Sequence, residues 1–544
     1  MMGTGKALGL CVLSGLLAAA AFPKLNLGFL AWVALVPMFV AVRGCGPGGA
    51  LLRGWVAGVT FYFATLSWIA PTIDNFTRLP PPAAFALGLL LAAVCAYNFA
   101  GAAVLTERLA AGGVTRLLAA PLAWVALEWS RTFVLGGFPW ASLGYSQHGA
   151  LHLIQIADLG GVYTVSALLV FVNLGFVEII ADRRRVRRVL PWLVALPVLA
   201  MGYGAFRLAA VDRTAVEGTL DVAYVQGNVA QADKWNPDLQ NEILIRHLEL
   251  SAEAAAAGAE LVVWPEASIP FDLAADRRAE NLADFAQEHE IFILAGAPGV
   301  EADADGQELT YNRAWLLTPG RLVLGPYDKM QLVPFGEYVP LGGLFGLVDI
   351  VVHSAGALGR GDTPLVFAGP QLQELAADES GDPESGDRAG GDQPKEVRAA
   401  RFGTLICYEG IFPALARRFA VDGADFLVNI SNDAWYGDTA APYQHLSMTV
   451  FRAIENRMPV VRATNTGVSA FIDARGAEGV RSSLFEPDIG LQRILVRSIG
   501  SPYRKVGDVF VYLCLLATLA LLVRARIVGG PFRKGADRGD ALGE

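Results

Sequence analysis

Three short segments carry residue types that together could do nucleophilic chemistry. Cys407 ends the strand-like run Phe402-Gly-Thr-Leu-Ile-Cys-Tyr-Glu409 and precedes a helix-like segment. A thiol at a strand-to-helix turn is exposed to a substrate, and helix N-terminal amides favour its thiolate and any oxyanion formed beside it. Glu266 lies in Val262-Val-Trp-Pro-Glu-Ala-Ser268, directly after an apolar strand that Pro265 stops. A carboxylate at the end of a buried strand is expected to have a raised pKa, as suits a general base. Lys329, in Tyr327-Asp-Lys-Met-Gln-Leu-Val-Pro-Phe-Gly-Glu337, stands amid apolar and aromatic residues, where it could hold an oxyanion or a carboxylate. Singly, each has a plainer explanation: a buried structural cysteine, a loop carboxylate, a snorkelling lysine. In the order Glu, Lys, Cys, each at its own strand end or loop, they form a specific constellation. The other cysteines (Cys11, Cys45, Cys95, Cys514) sit in or beside apolar runs without paired spacing, which excludes a disulfide framework and a cysteine-built zinc site.

The elements that must position these residues divide into two kinds. Of 544 residues, 53% are apolar and 17% charged, against about 25% charge in an ordinary soluble domain. The net charge of −9 speaks against a general affinity for nucleic acid. Apolar runs near 7–22, 26–42, 51–70, 83–105, 117–135, 162–181, 190–210 and 506–524 predict about eight membrane spans, the first two short enough to be one broken hairpin. The first run imitates a signal peptide, but long spans follow at once, so it reads as a retained anchor. Basic residues cluster at 183–188, after 524, at Arg43 and Arg53, and at Arg108 and Arg116. All four segments belong on the cytoplasmic side, which puts the stretch 211–505 outside. That stretch alternates β-rich runs (LDVAYVQGNV, ELVVWPEAS, IFILAGAPG, FGTLICYEG, DFLVNISNDAW) with helical ones, the pattern of an α/β domain. Within it, 374–396 is acidic, rich in Gly, Pro and Ser, and reads as a disordered surface loop. The expected organisation is a membrane domain over 1–210, a catalytic domain over 211–505, and a last span with a basic tail over 506–544.

WPEAS, YDKMQLVPFGEYVP and ICYEG resemble the three catalytic segments of the nitrilase (carbon–nitrogen hydrolase) superfamily. The flanking forms Gln226-Gly-Asn228 with Lys234-Trp235, PFGEYVP, SNDAWYGD with Gln444-His445, Gly-Gly-Phe-Pro-Trp140 and RATNTG are similar to those of the bacterial apolipoprotein N-acyltransferase family. The likeness covers essentially the whole chain and departs from the family chiefly in the long acidic insertion. It implies a polytopic α-helical membrane protein carrying an inserted nitrilase-like αββα sandwich. It also implies transfer of an acyl chain from a phospholipid, phosphatidylethanolamine by preference, to the α-amine of the N-terminal diacylglyceryl-cysteine of an apolipoprotein. Glu266, Lys329 and Cys407 would be catalytic, working through a thioester. Glu337 and Glu409 would support them, Trp235, Tyr408 and Trp435 would shape a lipid entrance, and Asn312 would line the site. No cofactor or metal is implied, and the protein would act as a monomer in the bacterial inner membrane with its catalytic domain in the periplasm. The alternatives are a membrane-tethered amidase or nitrilase acting on a small periplasmic carbon–nitrogen substrate, and a transporter with an outer binding domain. His148, His152, His247, His289 and His353 show no ligand spacing and read as surface or loop residues, His445 as structural. Glu128 and Arg131 are either functional or near the outer end of their span.

Overall fold

The structure is a computed structural model that describes residues 3–76, 79–302, 306, 308–338, 358–374 and 398–529. The acidic segment expected over 374–396 lies outside these residues beyond Glu374, as do His353 and the basic tail beyond Gly529.

The apolar runs form helices, but not eight equal spans. Among the described residues, four helices are long and apolar enough to cross a bilayer: 81–111, 162–181, 183–213 and 509–526. Pro47–Thr65 and Ile69–Asn75, bent by 51°, make a fifth if counted as one span. The first two runs fold as shorter helices, Thr4–Ala20 and Gly28–Val42, and the fifth run yields only Arg116–Ser130. At 1.5 Å per residue, 15 residues fall short of the roughly 20 that a span needs. The count of about eight is therefore not reached by length. Where Phe22–Leu27 turns, Asn26 N–H donates to Phe22 O (2.8 Å) and Leu27 N–H to Ala20 O (3.0 Å), so the first two helices form a hairpin. Small residues let the bundle close: a Cβ on Gly54 would fall 2.7 Å from Phe99 O, so helix 47–65 lies against Tyr97–Ala111 backbone to backbone.

The basic segments gather at one end of this bundle. Glu178 pairs with both Arg43 and Arg185, Glu107 pairs with Arg116 (2.6 Å) and accepts from Gly44 N–H (2.8 Å), and Gly112 touches Ala525. The α/β domain meets the opposite end.

That domain stacks two sheets. Its strands are β1 (Gly218–Gln226), β2 (Leu261–Val263), β3 (Phe292–Ala302), β4 (Glu308–Leu317), β5 (Val323–Asp328), β6 (Leu358–Gly359), β7 (Val366–Gln371), β8 (Ala399–Ile406), β9 (Phe426–Ser431), β10 (Val460–Thr464), β11 (Ala470–Ile472), β12 (Glu478–Arg481) and β13 (Asp488–Val496). One sheet runs β13-β1-β2-β3-β4-β5 with β6 on β4, and the other β12-β11-β10-β9-β8-β7. The period-2 alternation of each strand sorts its residues: Leu220, Val222, Tyr224, Leu261 and Val263 join the core between the sheets, whereas Ala223, Val225, Val262 and Trp264 pack under helices 240–256 and 278–288. Each Leu or Val among them removed from water contributes about 1.5–3 kcal/mol. β1-β2-β3 and β8-β9-β10 are parallel, so their C-terminal ends share one edge of the sandwich, where α/β folds collect their ligands.

Helix Ala441–Asn456 lies between the second sheet and the membrane helices and is buried along every residue but Tyr443. Two of its polar side chains, Gln444 and Glu455, bond across the boundary. Gln444 Oε1 accepts from Trp140 (2.7 Å) and Trp68 (3.2 Å), its amide donates to Thr65 O (3.0 Å) and Pro23 O (3.1 Å), and Glu455 accepts from Val162 N–H (2.9 Å).

Candidate active site

Glu266, Lys329 and Cys407 meet at the C-terminal edge of the sandwich. After β2, Trp264 N–H still bonds Leu294 O (2.8 Å), then Pro265 ends the ladder and Ala267 adopts a left-handed φ of 47°, which turns Glu266 inward. Its Oε1 accepts from Asn312 Nδ2 (2.7 Å) and Lys329 Nζ (3.2 Å), and its Oε2 from Asn432 N–H (2.9 Å). Burial pushes this carboxyl up, but Lys329 and Lys234, with the Asn312 amide, outweigh burial and hold it below the ordinary carboxylate range. The raised pKa expected from its place at a buried strand end is thus corrected: two cations converge on it. The result is a standing carboxylate, competent as a base at neutral pH.

Lys329 follows β5, anchored by its own N–H to Asn312 O (2.9 Å) and its carbonyl to Gly361 N–H (2.9 Å). Its buried ammonium bridges Glu266 and Glu337 Oε1 (2.7 Å), while Glu337 Oε2 takes Val333 N–H (2.8 Å). Burial disfavours the charge, yet these two carboxylates hold the ammonium well above its usual value.

Cys407 sits at φ 51°, a left-handed conformation that costs a non-glycine residue about 1–2 kcal/mol. Burial pushes its thiol well up, the charges of Glu266 and Asp433 add to this, and Lys329 opposes them. The thiolate favoured by a helix N-terminus is not what the structure shows: a single 3-10 turn (Cys407–Ile411) follows β8, and the α-helix starts only at Pro413. Cys407 rests as a thiol, with a carboxylate beside it to take the proton.

The strained turn is held from several sides. Glu409 Oε2 accepts from Ile406 N–H (2.7 Å), its Oε1 from Met330 N–H (2.6 Å) and Gln331 N–H (3.1 Å), and the Tyr327 hydroxyl reaches both oxygens at 2.9 Å. One carboxylate therefore ties the cysteine turn to the lysine loop. Burial pushes it up to about 7 against those donors. Cys407 O accepts from His445 Nε2 (3.2 Å) and Asn429 Nδ2 (3.4 Å). A carbonyl can only accept, so Nε2 carries the proton and Nδ1 faces Arg462 Nη2 (3.1 Å). Arg462 also pairs with Asp433 (2.7 Å), which accepts from the Ser431 hydroxyl (2.7 Å).

Trp235 and Trp435 are half-exposed, whereas Tyr408 is buried with its hydroxyl on Gly137 O (2.7 Å) and its ring on Phe138. The loop between the helices at 116–130 and 162–181 thereby reaches the site. Gln331 Nε2 bonds Gly136 O (2.9 Å), and Gly137 at φ 89° approaches Thr132 and Phe412 too closely for any Cβ. Glu128 and Arg131 brace this loop, Glu128 accepting from Leu143 N–H (2.7 Å) and Arg131 donating to Phe138 O (2.9 Å) and Trp140 O.

Sequence reasoning missed Lys234, whose Nζ donates to Glu266 O (2.8 Å), and the Asn432 backbone, although both lie in segments singled out above. His247 is corrected from surface to core: it is 1% exposed and packs on Trp264. His445 is structural in contact, and that contact is with the carbonyl of Cys407.

Residues 14–175 match the model of the apolipoprotein N-acyltransferase N-terminal domain, and 221–500 that of the carbon-nitrogen hydrolase. The apolipoprotein N-acyltransferase of Geobacter metallireducens is 37% identical over 93% of this chain and 92% of its own. That of Brucella melitensis is 32% identical over 94% of each chain. An amidase of the nitrilase superfamily from Nesterenkonia, a solved structure, aligns with 55% of this chain and 98% of its own at 18% identity and a TM-score of 0.36.

Proposed function

Since the chain belongs to the apolipoprotein N-acyltransferase family, we propose that its site N-acylates apolipoprotein in two half-reactions through a thioester on Cys407. The protein is an acyltransferase with a lipoprotein substrate and a membrane setting. The observation that carries the reading is the Glu266 carboxylate, fixed by Lys329, Asn312 and Asn432 beside a protonated thiol.

In the first half-reaction Glu266 accepts the Sγ proton as sulfur attacks the ester carbonyl of a phospholipid acyl chain. Charge develops on the carbonyl oxygen, where the Lys329 ammonium and the Tyr408 N–H receive it. The C–O bond breaks, and the lysophospholipid leaves with the proton returned by Glu266. In the second, the acceptor's α-amine attacks the thioester and gives its proton to Glu266. The C–S bond breaks and the thiol is restored. Glu337 and Glu409 position the lysine and the cysteine turn, Asn312 orients the base, and Trp235, Tyr408 and Trp435 form the lipid entrance.

Membrane residence follows from the substrates. A chain of about 14 methylenes brought into water would cost about 11 kcal/mol at 0.8 kcal/mol each, so the site must take its donor from the bilayer directly. The donor is phosphatidylethanolamine, the acceptor is the diacylglyceryl-cysteine, and the enzyme works as a monomer in the bacterial inner membrane. The basic segments at one end of the bundle keep that end cytoplasmic, so the α/β domain faces the periplasm. A membrane-impermeant protease acting on intact spheroplasts should cleave it; protection until lysis would refute the orientation.

Mass spectrometry of the purified protein after exposure to phospholipid tests the chemistry. An acyl adduct should appear on Cys407 and vanish when a diacylglyceryl peptide is added. N-acylated product from Cys407→Ala would overturn the assignment, and an adduct discharged equally by water alone would favour the amidase.

A further inference from the structure

Lys234 is a fully buried ammonium without a carboxylate within ion-pair distance among the described residues. It lies between β1 and helix 240–256, in a turn where its backbone N–H bonds Ala230 O (3.2 Å), and its Nζ points to the carbonyl of Glu266 (2.8 Å). A neutral donor would satisfy that carbonyl at much lower cost, because an isolated buried charge is expensive in proportion to its poor solvation. The charge therefore needs a reason.

The surroundings supply one. Glu266 is gripped on two sides: its carboxylate by Lys329 and its backbone by Lys234, with Ala267 left-handed immediately after it. Gly296 presses on this turn so closely that a Cβ there would lie 2.5 Å from Ala267 N. The turn decides where the carboxylate points, and it is clamped at the carbonyl preceding the strained residue. From this geometry we infer that Lys234 is a positioning residue of the acyl transfer: it fixes the Glu266 turn and, as a second buried cation, keeps the base ionised while the thiol approaches. The inference rests on Glu266 being the base.

The other groups facing the pair do not replace this role. Lys329 is committed to Glu266 and Glu337, and the Cys407 thiol is neutral. Asp433, near Cys407, is paired with Arg462. On helix 240–256, Arg246 reaches Gly227 O and Glu242, and burial pushes His247 down to about 4, so its ring loses its charge as pH rises above that and does not replace the lysine's charge. Burial pushes Lys234 itself down to about 8, against the pull of Glu266, which leaves it charged below that pH.

The test is the rate of Cys407 acylation in the full-length enzyme, read by intact mass in phospholipid micelles from about pH 3.5 to about pH 6, which takes in the Glu266 limb and stays below the Glu409 step at about 7. In Lys234→Met the acid limb should move up by about one pH unit, because a nearby cation lowers a carboxyl by that order. Lys234→Gln, which still donates a hydrogen bond, should shift likewise, whereas Lys234→Arg should overlay the wild type. A merely structural lysine would lower the rate at every pH without moving the limb. Unmoved limbs in the Met and Gln variants overturn the inference; so does a displaced limb in Lys234→Arg, the variant that decides if the neutral ones do not fold. Glu266→Gln runs alongside: if it acylates normally the base reading has failed, and if it does not while the limbs stay put, the inference about Lys234 alone has failed.

Discussion

Glu409→Gln exchanges one acceptor oxygen of a buried carboxylate for a donor and leaves the side chain's shape unchanged. Whichever way the amide sits, it faces a backbone N–H: Ile406 on one side, Met330 and Gln331 on the other. A hydrogen bond to a charged group is worth about 1.5–3 kcal/mol, and the abandoned donor stays buried. Against this loss stands the carboxyl's own burial, which raises it from 4.5 to about 7. The native state thus holds a proton between those values that the unfolded chain has released. The group's contribution to stability is full below 4.5 and lost as pH rises through about 7. Keeping it ionised at about pH 8 costs about 3 kcal/mol, which glutamine avoids. The two effects offset, so the melting temperature should move little. Catalysis has no such offset. Ile406 N–H adjoins the left-handed Cys407, and without its anchor the turn can release about 1–2 kcal/mol of backbone strain. That leaves about 5- to 30-fold less enzyme in the reactive geometry. Single-turnover thioester formation near pH 8, followed by intact mass with melting measured in parallel, should show a 5- to 30-fold slower rate at nearly constant stability. The wild-type rate should fall towards that of the variant as pH drops through about 7, because protonation removes the same acceptor. A wild-type rate in the variant at pH 8, or a loss that merely tracks unfolding, would refute this account.

Glu266→Gln and Lys329→Met should each slow formation of the acyl-enzyme, not just its discharge, by about 10²-fold or more, since both act before the thioester exists; normal accumulation of thioester in either would remove its assigned role. Arg462→Met should destabilise the protein near neutral pH and remove the acid sensitivity that Asp433 gives it, since burial alone then acts on that carboxyl. Although burial pushes the Asp433 carboxyl up, Arg462 and His445 hold it below its ordinary 3.8, so its contribution is present above 3.8 and lost as pH falls below. Without the arginine, urea melts should show a loss of about 3–5 kcal/mol already near pH 6, and unchanged melts would contradict the network. Deleting 374–396 should leave acylation and melting as they were, for its composition can add nothing to a core; a large loss of rate in a folded deletion variant would show that it gates or binds something.

The candidate triad could be read in the sequence because each member stands where a local rule marks an element's end: Pro265 after an apolar strand, Cys407 before a turn, one lysine in an aromatic stretch. Their electrostatics could not. Burial of Glu266 is a local property and predicts a raised pKa, but Lys329 arrives from 63 residues away and reverses it. The thiolate expected at Cys407 failed for a similar reason: burial first, and then the charge of Glu266, are brought to it by the stacking of two sheets. Lys234 was invisible as a participant because its partner is a backbone carbonyl, which carries no side-chain signature. His247 was misjudged although it follows Ile243 by four residues and Leu244 by three, the spacing of one buried helix face, on which it packs against Trp264. Hydropathy found the apolar runs but could not distinguish a full span from the 15-residue helix at 116–130, whose polar end Glu128 and Arg131 hold a loop and not a lipid boundary.

That loop and helix Ala441–Asn456 explain how the two halves of the molecule act as one. The helix is polar yet buried, and its ion pairs are fully enclosed: Arg452 with Glu455 (2.9 Å) and the adjoining Arg457 with Asp158 (2.5 Å), the latter from the membrane side. Buried pairs of this kind add little net stability compared with apolar packing, but removing one partner strands a charge at a cost of about 3–5 kcal/mol. Such an interface tolerates one register and rejects sliding. The same helix carries His445, which bonds the carbonyl of Cys407, and Gln444, which receives Trp68 and Trp140 from the membrane domain. The loop at 136–140 closes the circuit by meeting Tyr408 and Gln331, the neighbours of the nucleophile and of the lysine loop. The Cys407 turn is thus fixed relative to the apolar bundle through two independent sets of hydrogen bonds. Under the proposed function, a lipid chain held along that bundle would present its ester at a height the fold has already set, so binding of the donor and alignment of its carbonyl would become a single event.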